Sequence, residues 1–270
     1  MGELENRMRM YELDKKLPIN IPIIVRIDGR GFTKLTRGMK EPYDEEFISM
    51  MNEIAIKVCR SVQHCRMAYI QSDEISFLIY QKNWDEEGWF SNKVEKMCSI
   101  ISSMASSIAT KWVIEKYPDK NPIVCFDARA NVYPSKEVVN YFIWRQFDWE
   151  RNSLFMLAST YYSAKELMYK KNEEQHEMIF NAGDNWNKYS THIKRGRTCI
   201  KVKTNKYIDN EHFQGEVDRT IWVIDNDIPQ FSKYKDYIFS KLNHDWDDVE
   251  AENIDYIDYD DIIAERELND

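Results

Sequence analysis

Two short acidic motifs are the residues of this sequence best suited to chemistry. Asp28 ends an apolar run and precedes Gly29, whereas Asp73 lies in the polar segment Gln71-Ser72-Asp73-Glu74 between two apolar runs. Two carboxylates brought together repel each other unless a cation lies between them, and Mg²⁺ takes oxygen ligands of this kind together with substrate phosphates. Two such ions about 4 Å apart can activate a hydroxyl and stabilise a leaving pyrophosphate. If the fold brings Asp28 and Asp73 together, the motifs indicate metal-dependent phosphoryl transfer.

Each motif also has an ordinary structural explanation. Asp-Gly is among the commonest turn dipeptides, and Ser-Asp-Glu is an acceptable hairpin tip, so the hypothesis depends on their pairing. The backbone carbonyl of Gly29 could add a metal ligand, and the segment from Asp28 to Phe32 could present backbone N–H groups to a triphosphate. Glu74 is the weaker candidate, because neighbouring strand residues point to opposite faces.

The surrounding pattern predicts the elements that must position both acids. Apolar runs at residues 19–27, 67–70, 75–80 and 123–132 are typical of strands, and helical spacing covers residues 47–58 and 91–117. The resulting order, β-α-β-β-α-β, is the ferredoxin-like split unit found in polymerase and cyclase palms. In that unit the end of the first strand lies beside the hairpin of the second and third, so we expect Asp28 and Asp73 to converge. The predicted fold class is α+β.

The rest of the chain predicts an extension. Helical spacing returns at residues 137–149, 154–169 and 173–189, followed by strand-like runs at 197–203 and 220–224. We predict a palm-like catalytic domain at residues 1–135, a mainly helical extension with a small β element at 136–245, and an acidic tail at 246–270. The tail could be disordered, could imitate phosphate in an RNA groove, or could bind a partner.

The charge is unevenly distributed along the chain. The net charge is −9, from 37 basic and 46 acidic residues. From Asp245 onward there are 12 acidic residues and one basic residue, Arg266, which leaves 36 − 34 = +2 for the remainder. A nucleic-acid partner is therefore compatible with the body of the chain.

The cysteines and the apolar stretches bear on localisation. The 5 cysteines are scattered and form no CxxC pair, which favours reduced thiols over a disulfide framework or a zinc ribbon. The N-terminal stretch lacks an apolar run of signal-peptide length, and we expect no membrane partner. These features predict a cytoplasmic protein.

Several segments together resemble one enzyme family. They are Arg26-Ile27-Asp28-Gly29-Arg30-Gly31-Phe32, Gln71-Ser72-Asp73-Glu74-Ile75-Ser76-Phe77, Phe126-Asp127-Ala128-Arg129 with Tyr133-Pro134-Ser135, and Tyr141-Phe142-Ile143-Trp144-Arg145-Gln146. In this order they are similar to signatures of tRNAHis guanylyltransferases and their guanylyltransferase-like relatives. The resemblance implies a homotetrameric 3′-to-5′ nucleotidyltransferase that extends the 5′ end of tRNA with ATP, GTP or other nucleoside triphosphates and two Mg²⁺ ions.

The resemblance also implies roles for individual residues. The implied metal ligands are Asp28, Gly29 and Asp73, with Glu74 adjoining them as a catalytic candidate. The candidates for nucleotide contacts are Arg30, Gly31, Phe32, Ser72, Lys93 and Lys96, although the two lysines could equally lie on a solvated helix face. The candidates for RNA contacts are Arg145, Asn152, Lys194 and Arg195. Asn152 could instead cap a following helix.

One segment departs from the family pattern. Where guanylyltransferases specific for tRNAHis carry His-Ile-Asn-Asn-Leu-Tyr-Asn, this chain has Glu150-Arg151-Asn152-Ser153-Leu154-Phe155-Met156. The departure favours relatives that repair truncated tRNA 5′ ends by copying the opposite strand, over untemplated G addition to tRNAHis. Two further alternatives stay open: a nucleotide cyclase on the same fold, and a non-catalytic RNA-binding module.

Overall fold

The computed structural model describes residues 2–210 and 213–243, which form an antiparallel sheet with helices on both faces. The sheet has six strands in the order β4-β1-β3-β2-β5-β6. The strands are β1 (Ile23–Arg30), β2 (Cys65–Gln71), β3 (Glu74–Ile79), β4 (Cys125–Val132), β5 (Arg197–Asn210) and β6 (Phe213–Asp225). The first four strands therefore take the order of a ferredoxin-like unit.

The helices fall on two sides of this sheet. They are α1 (Glu3–Arg9), α2 (Phe32–Leu35), α3 (Glu45–Ser61), α4 (Val94–Lys116), α5 (Ser135–Ser159), α6 (Ala164–Leu167), α7 (Asn172–Asn181), α8 (Thr191–Arg195) and α9 (Asp236–Asn243). Short 3-10 turns lie at Trp89–Asn92 and Trp186–Lys188. One core packs α3 and α4 against the sheet, and a second core packs α5 and α9 against its other face.

The alternation of side chains along β1 determines the face of the sheet on which Asp28 lies. Ile23, Val25 and Ile27 are buried in the core under α3 and α4, whereas Ile24 is buried in the core under α5. Because side chains alternate along a strand, Asp28 shares the α5 face with Ile24. The pattern of β1 therefore places Asp28 between the sheet and α5.

Helix α4 has the length and apolar composition of a membrane span, the one such helix in the part of the chain that is described. Its inward side includes Met97, Ile101, Ala105 and Trp112, all of which are buried in the core with β1 and β4. The core helix of a soluble protein meets the same criteria, so this composition is weak evidence for a membrane. The absence of a membrane partner stays a prediction.

The α+β class and the order of the first strands and long helices are confirmed, but the bounds of several elements differ, among them the helix predicted at 173–189, which ends at Asn181. Strand β1 begins at Ile23, after Pro22, which has no N–H to donate, and continues to Arg30, so Asp28 lies within the strand rather than at its end. The prediction of two separate helices at 137–149 and 154–169 was wrong. A single helix, α5, runs unbroken from Ser135 to Ser159. Asn152 consequently lies inside a helix and does not cap one.

The strands predicted for the extension are longer than expected and join the main sheet. Strand β5 pairs with β2 from Met67↔Ile200 to Ile70↔Arg197, and β6 pairs with β5 along its length. The sheet thus runs across the boundary predicted near residue 135, and the division into domains stays a prediction. The acidic tail predicted at 246–270 lies outside the described residues.

The connection from α8 into β5 generates a test of stability. Gly196 has φ of +81°, and a Cβ there would lie 2.7 Å from the backbone oxygen of Ile70. Gly183 has a similar φ of +91° but open space around it. We expect Gly183→Ala to cost about 1 kcal/mol from backbone strain alone, and Gly196→Ala to cost clearly more. Urea unfolding of both variants measures the difference, and equal losses would contradict a steric role for the Ile70 carbonyl.

Candidate active site

Strand pairing brings Asp28 and Asp73 together. In the β1–β3 register Asp28 lies opposite Glu74, and the amide N–H of Gly29 donates to the backbone oxygen of Asp73 at 3.1 Å. Ser72 and Asp73 form the two-residue turn between β2 and β3, and Ser72 takes the positive φ of 45° that tight hairpin turns use. The two acids predicted to converge are therefore neighbours across β1 and the hairpin tip.

A third acid lies on the other side of Asp28. In the β1–β4 register Asp28 lies opposite Asp127, and opposed residues of neighbouring strands share a face. The guanidinium of Arg129 donates to the Asp127 carboxylate at 2.8 Å. Sequence reasoning quoted this segment as part of a family signature but gave Asp127 no role. The predicted strand order makes β1 and β4 neighbours, but the register that sets Asp127 opposite Asp28 is seen only in the structure.

The electrostatics of the acids show an unfavourable concentration of negative charge. Burial, followed by the charge of Asp28, raises the pKa of Asp73 to about 6, although hydrogen bonds from its own backbone N–H and from the Ser72 hydroxyl act in the opposite direction. Burial also raises the pKa of Asp28, followed by the charge of Asp127, whereas Arg129 and Arg26 act in the opposite direction. A bound cation would favour the ionised form of both carboxylates.

The donor set fits a hard cation that keeps water or substrate ligands. Asp28, Asp73 and the Gly29 carbonyl are oxygen ligands of the type that Mg²⁺ takes. Within residues 2–210 and 213–243, no group of three or more His, Cys, Asp or Glu side chains has the arrangement of a complete metal site. Magnesium is commonly held by one or two carboxylates plus substrate phosphates, so a partial set is compatible with it.

The segment after Asp28 is shaped by packing. A Cβ on Gly29 would lie 2.3 Å from the Phe32 ring, so a side chain there would displace Phe32. Phe32 is itself buried, against Phe47 and Phe126 with ring centroids 6.0 and 5.1 Å apart. The side chain of Phe32 is thus in the core, so the nucleotide contact predicted for it could come only from its backbone N–H. Arg30 is exposed, and Gly31 has φ of +75° before α2.

Glu74 is held in a buried ion pair. Arg145 on α5 donates to both Glu74 oxygens at 2.7 Å, and Gln71 donates to Glu74 at 2.8 Å. The guanidinium of Arg145 is also 3.1 Å from Asp148. Glu74 and Arg145 are only 6% and 7% exposed, so the structure places Arg145 inside the protein rather than on a surface for RNA. The pair joins α5 to β3 and orients Glu74 toward the helix.

The other predicted RNA-contacting residues lie along α5 and α8. Asn152 is exposed on α5, with its amide 3.5 Å from Asp148. Lys194 donates to the Asn187 carbonyl at 2.9 Å, and Arg195 lies 3.8 Å from Glu150 of α5. These residues therefore share the region where α8 packs on α5.

The two predicted triphosphate-binding lysines lie apart from the acids. The amide N–H of Phe126, beside Asp127, donates to Ser106 in the middle of α4 at 3.1 Å. Lys96 precedes Ser106 by ten residues, about 15 Å of helix, and Lys93 is further still. Lys93 pairs with Asp14 at 3.0 Å. Within this chain, the structure does not bring Lys93 and Lys96 to Asp28 and Asp73.

A cavity of about 330 Å³ opens beside the hairpin tip. Ser72 forms part of its wall, together with residues from the α2–α3 connection, α5 and α8, among them Met39, Tyr43, Trp149 and Met156. Asp44 also lines it and caps α3 by accepting from Phe47 N at 3.0 Å. A mostly apolar cavity of this size beside paired carboxylates can take the base of a nucleotide whose phosphates face the acids.

Comparisons with known proteins show the family to which this chain belongs. The family model described as tRNAHis guanylyltransferase matches residues 5–134. A tRNA(His) guanylyltransferase of Schizosaccharomyces pombe is 30% identical over 209 residues, which are 72% of this chain and 78% of the relative. A probable tRNA(His) guanylyltransferase of Drosophila melanogaster is 32% identical over 155 residues, 56% of this chain, and the match spans only about half, 53%, of that relative.

Solved structures are similar over most of the chain. A bacterial tRNA(His) guanylyltransferase-like protein in complex with ATP has a TM-score of 0.79 and 33% identity, covering 89% of this chain and 99% of that one. A bacterial guanylyltransferase-like protein in complex with GTP has a TM-score of 0.70 and 32% identity, covering 90% and 100%.

The Glu74–Arg145 pair yields a prediction about stability. Removing one member of a buried pair leaves an uncompensated charge and costs about 3–5 kcal/mol. We expect Arg145→Met to destabilise by this amount, and Glu74→Met/Arg145→Met to lose less than the sum of the single variants. Arg151→Met, at an exposed arginine of the same helix, is the matched control. Denaturant unfolding measures the stability of each variant. If Arg145→Met leaves the stability unchanged, Arg145 is not held in a buried pair and is accessible to RNA.

The raised pKa of Asp73 yields a prediction about pH. Because its folded-state pKa of about 6 lies above the ordinary value of 3.8, the metal-free protein should lose stability as pH rises from about 4 past 6. Mg²⁺ at about 100-fold its dissociation constant adds about 2.7 kcal/mol to the free energy of unfolding and so raises Tm. We expect this rise in Tm to be clear at pH 8 and weak at pH 5.

Two variants make this measurement specific. Asp73→Asn should reduce the pH dependence, to which the raised pKa of Asp28 also contributes, and should remove the Mg²⁺ effect, whereas Asp85→Asn, at an exposed acid, should keep both. A Mg²⁺-induced rise in Tm that is equal at pH 5 and pH 8 would count against a metal at Asp73.

Proposed function

Because the chain belongs to the tRNAHis guanylyltransferase family, a family of nucleotidyltransferases, we propose that it adds nucleotides to the 5′ end of tRNA. The observation that carries the proposal is the pairing of Asp28 with Asp73 beside a nucleotide-sized cavity. This arrangement supplies the two requirements of phosphoryl transfer, positioning and charge neutralisation.

The fold proposed for this chemistry is a polymerase-type palm. Asp28 lies on the central strand β1, and Asp73 lies in the tight turn that leads directly into the other central strand, β3. Central strands are restrained on both sides by hydrogen bonds, so carboxylates carried on them are held in fixed positions. We take this rigidity as support for the palm assignment, which fold order alone does not establish.

The proposed metal ligands are the carboxylates of Asp28 and Asp73 and the carbonyl of Gly29. Two bound Mg²⁺ ions would supply Lewis-acid stabilisation of the attacking and leaving oxygens. Asp127 lies opposite Asp28 but is held by Arg129, so we propose that it tunes the charge of Asp28 rather than binding metal directly. Glu74 is proposed to position the hairpin through Arg145.

The cavity beside Ser72 is proposed to bind ATP or GTP. Its wall combines apolar side chains, which can pack on a base, with Ser72, whose hydroxyl adjoins the acids. Bacterial guanylyltransferase-like proteins of the same fold are known in complex with ATP and with GTP, which supports nucleotide binding. Other nucleoside triphosphates would serve as substrates when the opposing RNA base selects them.

The proposed reaction joins an incoming nucleotide to the RNA 5′ end. The 3′-oxygen of the nucleotide bonds to the α-phosphorus at the 5′ end, and that phosphorus loses its bond to the leaving group. The leaving group is pyrophosphate from a 5′-triphosphate, or AMP when ATP has first activated a 5′-monophosphate. The 3′-hydroxyl releases its proton to solvent, and Asp28 and Asp73 would hold the metal ions that keep the reacting groups together.

The RNA would approach along α5 and α8, where Asn152, Lys194 and Arg195 lie. Cationic side chains there would bind phosphates without choosing sequence. Homotetramer formation and a cytoplasmic location belong to the same proposal. Lys93 and Lys96, distant from the acids of their own chain, could contact triphosphate only at a site that includes another copy.

Templated 5′-end repair and G addition to tRNAHis are the two versions of this activity. The segment Glu150–Met156 departs from the tRNAHis-specific pattern, which favours repair. The relatives named tRNA(His) guanylyltransferase favour G addition. The versions differ in one measurable property, since only repair depends on the base opposite the added nucleotide.

We expect the enzyme to extend a tRNA that lacks its first nucleotide when Mg²⁺ and nucleoside triphosphates are present. Asp28→Asn and Asp73→Asn should each lower the rate at least about 1,000-fold, because several kcal/mol of charge stabilisation are lost. Asp85→Asn keeps the same change of charge at an exposed position and should retain the rate. Extension products are resolved on a denaturing gel.

Substituting the base opposite the missing nucleotide separates the two versions. Repair predicts that the added nucleotide follows the new opposing base, whereas G addition predicts G in every case. No extension of any substrate, or extension that survives both aspartate variants, would refute the proposed activity. A cyclic nucleotide formed in reactions without RNA would instead identify a cyclase.

A further inference from the structure

A second cavity lies at the other end of the sheet from the acids. It has a volume of about 760 Å³, and its wall includes the end of α3, the start of β2, the segment after β3 and the β5–β6 pair. Asp73 follows β2, whereas Cys65 and Arg66 begin it, so the strand separates the two sites by about 20 Å. This cavity is therefore distinct from the proposed active site.

The wall of the cavity is strongly basic. Its charged and titratable members are Arg60, His64, Arg66, Lys82, Lys201 and Glu86. Four of these are permanently cationic, against one carboxylate. A concave surface with one sign of charge concentrates ions of the opposite sign. The composition is the reverse of that at Asp28 and Asp73.

The backbone builds this basic wall. A β-bulge between Cys65 and Met67 leaves Arg66 as the extra residue of β2, and bulges redirect side chains. Arg66 donates from Nε to the Tyr80 carbonyl at 2.9 Å, which fixes its position. Burial lowers the pKa of Arg66, and the nearby Glu86 charge only partly offsets this. A bound anion would further favour the charged guanidinium.

Two ammonium groups complete the wall. Lys201 lies 5.8 Å from the centroid of the Trp222 ring, a cation–π contact that keeps the side chain at the cavity. Lys82 is exposed, with Nζ 3.5 Å from the Asn243 carbonyl. Arg60 and Arg66 also make other contacts within the chain, so the two lysines carry the inference.

We propose that this cavity binds a phosphate group, of an RNA strand or of a free nucleotide. Lysine binds phosphate as a point charge, and arginine binds it through its fork of N–H groups. Trp222 in the wall adds an aromatic surface next to the cations, as nucleic-acid sites commonly have. The site requires no catalysis and is independent of the proposed 5′ extension.

The test measures binding of a short single-stranded RNA to the full chain in EDTA, by fluorescence anisotropy over a series of KCl concentrations. We expect Lys82→Gln/Lys201→Gln to weaken RNA binding about 10-fold and to reduce the salt slope by about 2, one for each phosphate contact. Lys111→Gln/Lys165→Gln removes the same charge from exposed positions outside the cavity and should change affinity less than about 2-fold.

Titrations with ATP and inorganic phosphate distinguish the source of the phosphate. Loss of RNA binding in the cavity variant assigns the site to an RNA strand, and loss of ATP or phosphate binding alone assigns it to a free nucleotide. Unchanged binding of all three overturns the proposal. Lys82→Arg/Lys201→Arg should restore binding, which separates loss of charge from loss of folding.

Discussion

Four carboxylates lie close together at one end of the sheet, and the cations that neutralise each of them determine whether this end can bind a metal ion. They are Asp28, Asp73, Glu74 and Asp127. Glu74 is matched by Arg145, and Asp127 by Arg129. Burial raises the pKa values of Asp28, Asp73 and Glu74 alike, and the repulsion between Asp28 and Asp73 adds to the rise at Asp73. The charge left on these two is the reason that the site favours an external cation.

The Glu74–Arg145 pair also determines the shape of the site. It is buried, and its bidentate geometry restricts how α5 can slide or rotate over β3. The same helix contributes Trp149 to the wall of the cavity beside Ser72, and Trp149 donates to the Ile193 carbonyl of α8 at 2.9 Å. The ion pair thereby connects the acids to the cavity and to the region where α8 packs on α5.

Much of this arrangement follows from local sequence pattern. The convergence of Asp28 and Asp73 needed only the order of strands and helices, because the ferredoxin-like order fixes which strands are neighbours. The tight turn at Ser72 and Asp73 is likewise predictable from local sequence, because short polar residues there separate two apolar runs. Apolar alternation in β1 gave the buried strand but not its end, since hydrogen bonding to β3 and β4 extends it to Arg30.

Long-range pairings were not predictable in this way. Arg145 was assigned to RNA from its motif, although its partner Glu74 is 71 residues away in sequence and becomes visible only when α5 packs on β3. Ser153 lies within α5, where its hydroxyl donates to the Glu150 carbonyl at 3.1 Å, so a serine that is typical of caps and turns does not end the helix here. The addition of β5 to the sheet reflects the exposed edge of β2, whose backbone groups need partners.

The two ends of the sheet carry opposite charge, and this resolves an apparent conflict. A net charge of −9 is unfavourable for an RNA-binding protein, but the 12 acidic residues and one arginine from Asp245 onward account for 1 − 12 = −11 of it, which leaves +2 for the rest of the chain. In physiological salt, electrostatic interactions between exposed charges are screened beyond about 10 Å. An approaching RNA therefore responds to the basic wall around Lys82 and Lys201, and to Lys194 and Arg195, rather than to the sum. The distribution of charge along this sheet, and not its total, determines whether a polyanion can be held while its 5′ end reaches the acids.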